Sequence, residues 1–374
     1  MELTDLMDKR QLGDYIYDRI AHPDMETRKE QLKNIGEIVI HNGFLRNELT
    51  FLYEKYFYQP KKSTEPHFYF NNKLHIINSR GDIRLLRDED LHKGLQYLLN
   101  REIPLTIKDY EQQRSKANRR FVDLAYDNVD LMFHYVDEKA IKDTNQLNVI
   151  FGPLQALSID GLEMDADCKS DFINHRVFKI DEKPVMNFDY VFADQAKNLL
   201  QQLFLISNSE FPGIDINIFH YGKIGIIDKG YQVGRIYVPF AALDEKKILS
   251  GEVQDIPIYN QLIDDTSAWT IFQNEIGEDA LEGKTVNTVS VLRQMKKNLE
   301  KDLDAGGDFL DMEWMQMAML DNNCSHSRLG EIRYHFAGVG SDKPLTGKTL
   351  ANTIYPRSKM NKIANAYKEI IRRY

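Results

Sequence analysis

The sequence predicts an α/β protein in which a mostly helical segment precedes a central sheet covered by helices. Short apolar runs typical of buried strands recur from about residue 147 onwards, at 147–151, 216–222, 235–241, 284–292 and 332–340. Amphipathic segments of helical period accompany them, at 193–206, 291–303 and 358–373. Apolar strands that alternate with helices are typical of a largely parallel sheet with helices on its faces.

Residues 1–146 have a different pattern and are predicted to form a separate, mostly helical domain that contains a hairpin. Apolar residues recur at three- and four-residue spacing within 12–20 and 32–39, which is the period of an amphipathic helix. The segment 67–86 instead contains two short β-type runs separated by turn residues. No motif in this domain indicates a function, so the second domain, residues 147–374, is expected to carry the activity.

Composition limits the classes of function. The chain has 374 residues, of which 42% are hydrophobic, and a net charge of -9, which argues against nonspecific binding to nucleic acid. No run approaches the roughly 18 consecutive apolar residues of a membrane span, and the charged N-terminus lacks the apolar run of a signal peptide. The two cysteines lie far apart in the sequence. We therefore expect a cytoplasmic protein that acts on a small molecule, with neither nucleic acid nor membrane as its partner.

Three segments of the second domain combine residues that suit a binding site. In the first, a predicted strand ends in a turn of Gly-x-x-Gly pattern formed by Gly222 and Gly225. Glycines allow a ligand ring to lie against the main chain, because no Cβ intrudes. A plain tight turn would produce the same pattern.

The second segment is Asp311-Met312-Glu313, which ends a predicted strand and precedes a helical run. Acidic residues at this position are also favoured simply by the helix dipole. The third segment, 338–345 with the sequence GVGSDKPL, closes a strand and places Ser341 and Asp342 in a loop. An Asp in such a loop can equally be a turn or cap residue.

In their order and spacing, these three segments resemble landmarks of the nucleoside phosphorylase and nucleosidase superfamily. The third segment is most similar to the Ser-Asp-Lys-Pro-Leu of its AMP nucleosidases. The resemblance covers roughly residues 148–374 and implies a central mixed, partly barrel-like sheet flanked by helices. It also implies a soluble enzyme that cleaves the N-glycosidic bond of a purine nucleoside or nucleotide.

The resemblance also implies roles for individual residues. Glu313 would accept hydrogen bonds from ribose hydroxyls, and Met312 would pack against the sugar. Asp342 would be the general acid that protonates the leaving purine, since the base otherwise departs as an anion. Ser341, Gly222 and Gly225 would shape the side of the site that holds the base. By analogy with the superfamily we also expect at least a homodimer.

The pattern departs from the superfamily in two places. Arg235 stands where the family has Asp after a glycine, and no phosphate-binding loop is evident in the sequence. Asp189 and Asp194 occupy the region expected to hold phosphate, where carboxylates would repel the anion and could instead orient water or cap a helix. Basic candidates for a 5′-phosphate are Arg176, His220, Lys223, Arg235 and Lys343, and we include His220 among the substrate-binding residues.

These departures favour hydrolysis over phosphorolysis. The alternatives are a phosphate-dependent phosphorylase and a regulatory protein that binds nucleotides without cleaving them. The sequence has no dinucleotide-binding or P-loop motif and no metal-ligand spacing among its ten histidines, so we expect neither a cofactor nor a metal.

Overall fold

The computed structural model describes most of the chain as two units. The described residues are 33–42, 57–58, 67–78, 82–109, 125–158, 160, 162, 164–168, 174–189, 194–277, 280–288, 296–321, 328–346 and 357–374. The first unit comprises Met1–Phe121, Val289–Leu299 and Pro344–Asn352, and the second comprises Val122–Thr288, Glu300–Lys343 and Thr353–Tyr374. The predicted boundary after residue 146 stays a prediction. Ala125, Val129 and Met132, which precede it, already belong to a core of the second unit.

The described part of the first unit is built on a five-stranded sheet. Its elements are β1 (Glu37–Asn42), β2 (Phe57–Tyr58), β3 (His67–Phe70), β4 (Lys73–Asn78), α1 (Asp82–Leu99) and β5 (Leu105–Asp109). The strand order is β2-β3-β4-β1-β5, with β1 parallel to both of its neighbours. The predicted hairpin is confirmed as β3–β4, whose turn residues Asn71 and Asn72 both have positive φ.

The helix predicted across 32–39 is wrong at its end, because β1 occupies that position as one of the inner strands of the sheet. Ile38, Val39 and Ile40 are all buried. Three consecutive β-branched residues suit a strand with neighbours on both sides better than a helix. A mostly helical domain is therefore not what the described residues of this unit form. The helix predicted at 12–20 lies outside the described residues.

The remaining elements build the larger sheet and its helices, and residues 125–135 are helical as well. Up to the middle of the sheet they are α2 (Glu138–Thr144), β6 (Gln146–Phe151), β7 (Met164–Cys168), β8 (His175–Ile180), β9 (Lys183–Phe188), α3 (Asp194–Glu210), β10 (Asp215–Ile226), β11 (Ile236–Asp244) and α4 (Glu245–Ser250). They continue with β12 (Ile256–Pro257), α5 (Gln261–Asp264), α6 (Thr266–Ile276), β13 (Leu281–Asn287), α7 (Lys296–Asp304), β14 (Phe309–Asp311), α8 (Trp314–Asp321), β15 (Ile332–Asp342) and α9 (Arg357–Arg373).

Five strands of this sheet close into a ring. β11 pairs with β13, β13 with β14, β14 with β10, β10 with β15, and β15 with β11. The β10–β15 pair is parallel, whereas β14 runs antiparallel to β10 and β15 runs antiparallel to β11. From β10 the sheet continues openly through β6, β9, β8 and β7. The predicted central mixed, partly barrel-like sheet flanked by helices is confirmed.

The long central strands β10 and β15 are almost completely buried. In β10 only Asp215 and Lys223 are half-buried, and every other residue is buried. Trp314, Phe309 and Tyr237 belong to one core cluster on this sheet. Phe219, Tyr221, Ala337, Val339 and Tyr367 belong to the other, together with the buried stripe of α9. None of the helices in the described residues combines the length and the apolar character that a bilayer crossing requires.

Glycines in β15 allow this close packing. A Cβ at Gly338 would lie 2.8 Å from Cγ2 of Ile224, and a Cβ at Gly340 would lie 2.5 Å from Cδ1 of Ile226 and 2.9 Å from the ring of Tyr237. Interiors packed at this density do not accept an added methyl group without displacing their neighbours.

We predict that Gly340→Ala destabilises the fold by about 1–3 kcal/mol, because the new methyl group overpacks the ring of strands. Gly222→Ala is the matched control, since its nearest neighbour would lie at 3.4 Å, an ordinary contact distance. Urea unfolding followed by circular dichroism measures both variants. Equal stability of Gly340→Ala and the unmodified chain would show that the ring is less tightly packed than described.

Candidate active site

Three neighbouring strands bring the sequence motifs together. Gly225 in β10 pairs with Leu310 in β14 on one side and with Asp342 in β15 on the other. A Cβ at Gly225 would lie 3.4 Å from Cδ1 of Leu310 and 3.7 Å from Oδ1 of Asp342. The acidic residue of the third motif and the strand that leads into the second motif therefore flank the glycine of the first.

Gly222 and Gly225 do not form the predicted turn. Both lie inside β10, where Gly222 pairs with Gly338, and the register shifts between Ile224 and Gly225. The pairing with β15 keeps this segment extended, which explains why the expectation of a turn is wrong. A bulge bends a strand and redirects its side chains, and bulges are common beside active sites.

The second motif is organised by Asp311, which caps helix α8. Its Oδ2 accepts hydrogen bonds from the backbone N–H groups of Glu313 at 2.8 Å and Trp314 at 2.6 Å. Burial raises the pKa of Asp311, although these backbone donors and the Glu313 side chain oppose the shift. The Glu313 carboxyl also forms a hydrogen bond with the Asp311 carboxyl. The cap thus fixes Met312, which is half-buried, and Glu313, which is buried, directly after the C-terminal end of β14.

Asp342 is a buried acid with one unused oxygen. Its Oδ1 lies 2.6 Å from the Ser341 hydroxyl, which is also within 3.1 Å of the carbonyl oxygen of Ile224. Its Oδ2 has no hydrogen-bond partner in the described part of the chain. Burial raises the pKa of Asp342 to about 7, against the opposing effects of the Ser341 hydrogen bond and the Lys223 charge. Near neutral pH the carboxyl therefore exists in both protonation states, as general acid catalysis requires.

His220 lies on β10, two residues before Gly222, and contacts the start of helix α8. The indole Nε1–H of Trp314 donates a hydrogen bond to Nδ1 of His220 at 2.7 Å. Burial lowers the pKa of His220 to about 3, so the ring is neutral at physiological pH. A neutral imidazole can offer a phosphate a hydrogen bond but no positive charge. The structure thus weakens the case for His220 as a cationic phosphate ligand.

Two other predicted residues stabilise the segment that follows β6. Arg176 donates to the carbonyl oxygen of Leu154 at 3.0 Å and pairs with Asp167 at 3.4 Å. Asp189 accepts a hydrogen bond from the backbone N–H of Leu154 at 3.3 Å. Through these contacts, Arg176 and Asp189 both hold the backbone at Leu154 in place. The side chain of Asp194 lies outside the described residues, and α3 begins at that position.

The remaining basic candidates lie around Asp342. Lys223 is close enough for its charge to affect the pKa of Asp342. Lys343 donates to the carbonyl oxygen of Lys229 at 3.3 Å. Arg235 precedes β11 and exchanges backbone hydrogen bonds with its surroundings, including one from Gly340 to its carbonyl oxygen at 3.0 Å.

Sequence reasoning missed Trp314. It is fully buried and follows Glu313 directly, and it joins the acidic turn to β10 through His220. The one available signal was its position, since a tryptophan at the first turn of a helix beside an acidic motif needs a partner for its N–H when buried. Among the described residues, no cluster of three or more His, Cys, Asp or Glu side chains is arranged to hold a metal ion.

A shallow cleft lies elsewhere, beside the N-terminal halves of β6, β10 and β15, and has Asp265, Asn217 and Arg333 among its lining residues. Its polar groups largely satisfy one another. Arg333 donates to Asn217 at 3.4 Å, and the Tyr374 hydroxyl donates to Asp265 at 2.5 Å. The chemistry described above is at the other end of β10, beside Gly225.

Comparison with known proteins identifies no close relative. No family model matches the chain, and no curated protein matches it. Solved structures do show similarity. The futalosine hydrolase of Helicobacter pylori strain 26695 is 11% identical and covers 62% of this chain and 100% of its own, with a TM-score of 0.46.

Two further structures have comparable similarity. The 5′-methylthioadenosine/S-adenosylhomocysteine nucleosidase of Helicobacter pylori, bound to butyl-thio-DADMe-Immucillin-A, is 12% identical and covers 61% of this chain and 99% of its own, with a TM-score of 0.47. The uridine phosphorylase of Schistosoma mansoni is 12% identical and covers 63% of this chain and 90% of its own, with a TM-score of 0.46. These proteins are nucleosidases and a nucleoside phosphorylase. The fold described above rests on the strand pairing of the chain itself.

We predict that Asp342→Asn and Asp302→Asn both stabilise the protein at and above neutral pH. Asp302 is fully buried on α7, neither of its carboxyl oxygens has a hydrogen-bond partner among the described residues, and burial, followed by the charge of Glu245, raises its pKa to about 7. A folded-state pKa above the unfolded value of 3.8 means that the folded state binds more protons, so stability falls as pH rises from about 4 to about 7.

Each Asn variant lacks this loss of stability. Relative to the unmodified chain, its free energy of unfolding should rise across that pH window, by at most about 4 kcal/mol for a shift of about three pH units. Urea unfolding at a series of pH values measures the difference. A gain that is the same at all pH values, or a loss at neutral pH, would show that these carboxyls are not buried as described.

Proposed function

We propose that this protein is an N-glycosidase that hydrolyses the bond between a purine base and the ribose of a nucleoside or nucleotide. One observation carries the proposal: Asp342, a buried carboxyl whose pKa is raised to about 7 by burial, lies beside Gly225 with its Oδ2 unpartnered among the described residues. The acidic turn at Glu313 follows the strand on the other side of Gly225. An acid that is half-protonated at neutral pH is suited to donate a proton to a departing base.

In the proposed reaction, the bond between C1′ and the base nitrogen breaks and its electron pair leaves with the base. Asp342 transfers a proton from its carboxyl group to the base. Glu313 accepts hydrogen bonds from ribose hydroxyls and holds the sugar as it flattens toward an oxocarbenium-like state. Water then adds to C1′ and releases a proton, which restores the acid.

The surrounding residues support binding of the base and the sugar. Ser341 orients the Asp342 carboxyl through the 2.6 Å contact to its Oδ1. Gly222 and Gly225 present bare main chain against which a planar ring can lie. Met312 would pack on the sugar beside Glu313, and His220 would contact the same substrate from β10.

Charge distribution favours water over phosphate as the nucleophile. Asp311, Glu313 and Asp342 supply three carboxyl groups on the strands and strand ends that flank Gly225. Of the basic candidates, Arg176 is engaged with Leu154 and Asp167 and Lys343 with Lys229, while Lys223 acts on Asp342. Inorganic phosphate binds where backbone N–H groups and cations converge, and carboxylates would repel it.

The proposal also includes a cytoplasmic location and a homo-oligomer.

The decisive assay uses chromatography to measure the release of free base from a panel of nucleosides and their phosphates. Each compound is tested without inorganic phosphate and then with it. We predict release without phosphate, which Asp342→Asn and Glu313→Gln each lower by about 10²- to 10⁴-fold, the usual contribution of a positioned acid or base. Asp302→Asn is the matched control, because it also removes a buried carboxyl but changes a residue of α7 that belongs to none of the three motifs.

Three outcomes would contradict the proposal. Release that requires phosphate would make the protein a phosphorylase. Tight nucleotide binding without release would make it a regulatory protein. An equal loss of activity in Asp302→Asn would remove Asp342 from its assigned role.

We predict that Lys223→Met shifts the alkaline limb of the pH–rate profile to higher pH. The general acid works in its protonated form, so the rate falls as pH rises through the pKa of Asp342. The positive charge of Lys223 lowers this pKa, and its removal should raise it. Lys229→Met, which removes an exposed lysine from the segment after β10, is the control. A plot of kcat/KM against pH measures the position of the alkaline limb in each variant. An alkaline limb that does not move in Lys223→Met would mean that Asp342 is not the titrating acid.

A further inference from the structure

We propose that His220 donates a hydrogen bond from Nε2–H to a sugar hydroxyl of the substrate, and that Trp314 is the positioning residue that holds this tautomer. The inference rests on the proposed function and names the group of the substrate that His220 recognises. It follows from the hydrogen bond between the two rings, from their surroundings and from the missing Cβ at Gly222.

The hydrogen bond sets the tautomer. An indole N–H can only donate, so the Nδ1 atom of His220, 2.7 Å away, must be an acceptor without a proton. The single proton of the neutral imidazole is then on Nε2. Protonation of Nδ1 would place two donors against each other, and burial lowers the pKa of His220 to about 3. The ring therefore presents an N–H at Nε2 throughout the neutral pH range.

Packing holds the ring in place. The rings of His220 and Trp314 meet edge to face at 90°, and Phe336 contacts His220 at 86° while stacking on Trp314 at 11°. The Tyr367 hydroxyl donates to the carbonyl oxygen of His220 at 2.9 Å and fixes the backbone. A donor fixed in this way loses little entropy when it binds a ligand.

The donor edge of His220 lies beside Gly222. A Cβ at this glycine would lie 3.4 Å from Cε1 and 4.0 Å from Nε2, so the absence of a side chain leaves space against this edge. The hydrogen bond from Trp314 engages Nδ1, so Nε2 is the ring nitrogen of His220 that can donate to a ligand. Glu313 directly precedes Trp314 in the sequence, and its carboxylate can act as an acceptor. A hydroxyl group is the chemistry that satisfies both, because it donates to a carboxylate and accepts from an N–H.

His335 provides a matched control within the same pair of strands. It is also buried, burial lowers its pKa to about 3, and it stacks on Phe219 at 4.3 Å. Its Nδ1 has no hydrogen-bond partner among the described residues, and no indole N–H is bonded to it there. It faces the second cluster of core residues. Replacement of His335 therefore tests the effect of losing a buried histidine without touching the proposed donor.

The test compares ribonucleosides with their 2′-deoxy and 3′-deoxy analogues. In His220→Asn the shorter amide places its oxygen where Nδ1 was, which keeps an acceptor for Trp314 but removes the donor at Nε2. We expect kcat/KM for the ribonucleoside to fall about 10-fold, the value of one neutral hydrogen bond of about 1.4 kcal/mol, with a much smaller change for one of the deoxy analogues. His335→Asn should leave the ratio between substrates unchanged.

Two further variants test whether Trp314 positions the His220 ring or only fills the core. Gly222→Ala should lower the same ratio, because its methyl group covers the donor edge without steric strain. The sequence contains two tryptophans, so Trp269→Phe leaves Trp314 as the single indole, and its ¹H–¹⁵N resonance reports the bond. That resonance should stay in place in His220→Asn and move upfield in His220→Leu.

The outcomes are distinguishable from failure of the proposed function. If the unmodified chain releases no base, the proposed function fails, and the same substrate pairs are compared by calorimetric binding, where the same 10-fold difference is expected. Equal losses for ribose and for both deoxy substrates in His220→Asn would overturn the inference. So would an indole resonance that does not respond to His220→Leu.

Discussion

The site depends on the parallel pairing of β10 with β15, which continues from Ile216↔Ile332 to Gly225↔Asp342. Because Gly338 and Gly340 carry no side chain, the side chains of Ile224 and Ile226 on β10 pack directly against β15. At its end the register shifts, and this shift sets Asp342 opposite Gly225. The antiparallel pairing of β14 with the same stretch of β10 places the acidic turn, which follows β14, next to this site. The geometry of the site is thus a consequence of backbone pairing rather than of side-chain contacts alone.

Burial of acidic groups in this region has a cost in stability that a purely structural role does not explain. Asp342 is buried and its pKa is raised to about 7 by burial, and burial raises the pKa of Asp311 as well. Strongly shifted carboxyls cluster at functional sites, although structural networks also shift pKa values. Asp302 is such a buried carboxyl on α7 and belongs to none of the three motifs, so the shift alone does not define the site. The combination of the shift with Gly225, Ser341 and the Glu313 turn supports the assignment of Asp342.

Much of the second unit could be predicted because its strands are apolar runs separated by helices of regular period. Local patterns failed where tertiary pairing decides the structure. Ile38-Val39-Ile40 fits a helical spacing, but two neighbouring strands make it β1. Gly222–Gly225 reads as a turn, but pairing with β15 keeps it extended. The bond between Trp314 and His220 joins residues 94 positions apart, and no local pattern encodes such a contact.

The measurement that tests the central claim most directly is a ¹³C NMR titration of the Asp342 carboxyl, carried out in Asp302→Asn so that the other strongly shifted aspartate is absent. Asp342→Asn in the same background identifies the signal. The account predicts a carboxyl that titrates near pH 7 and a rate of base release that falls with the same midpoint. A carboxyl that titrates near the usual 3.8, or base release that does not depend on its protonation, would contradict it.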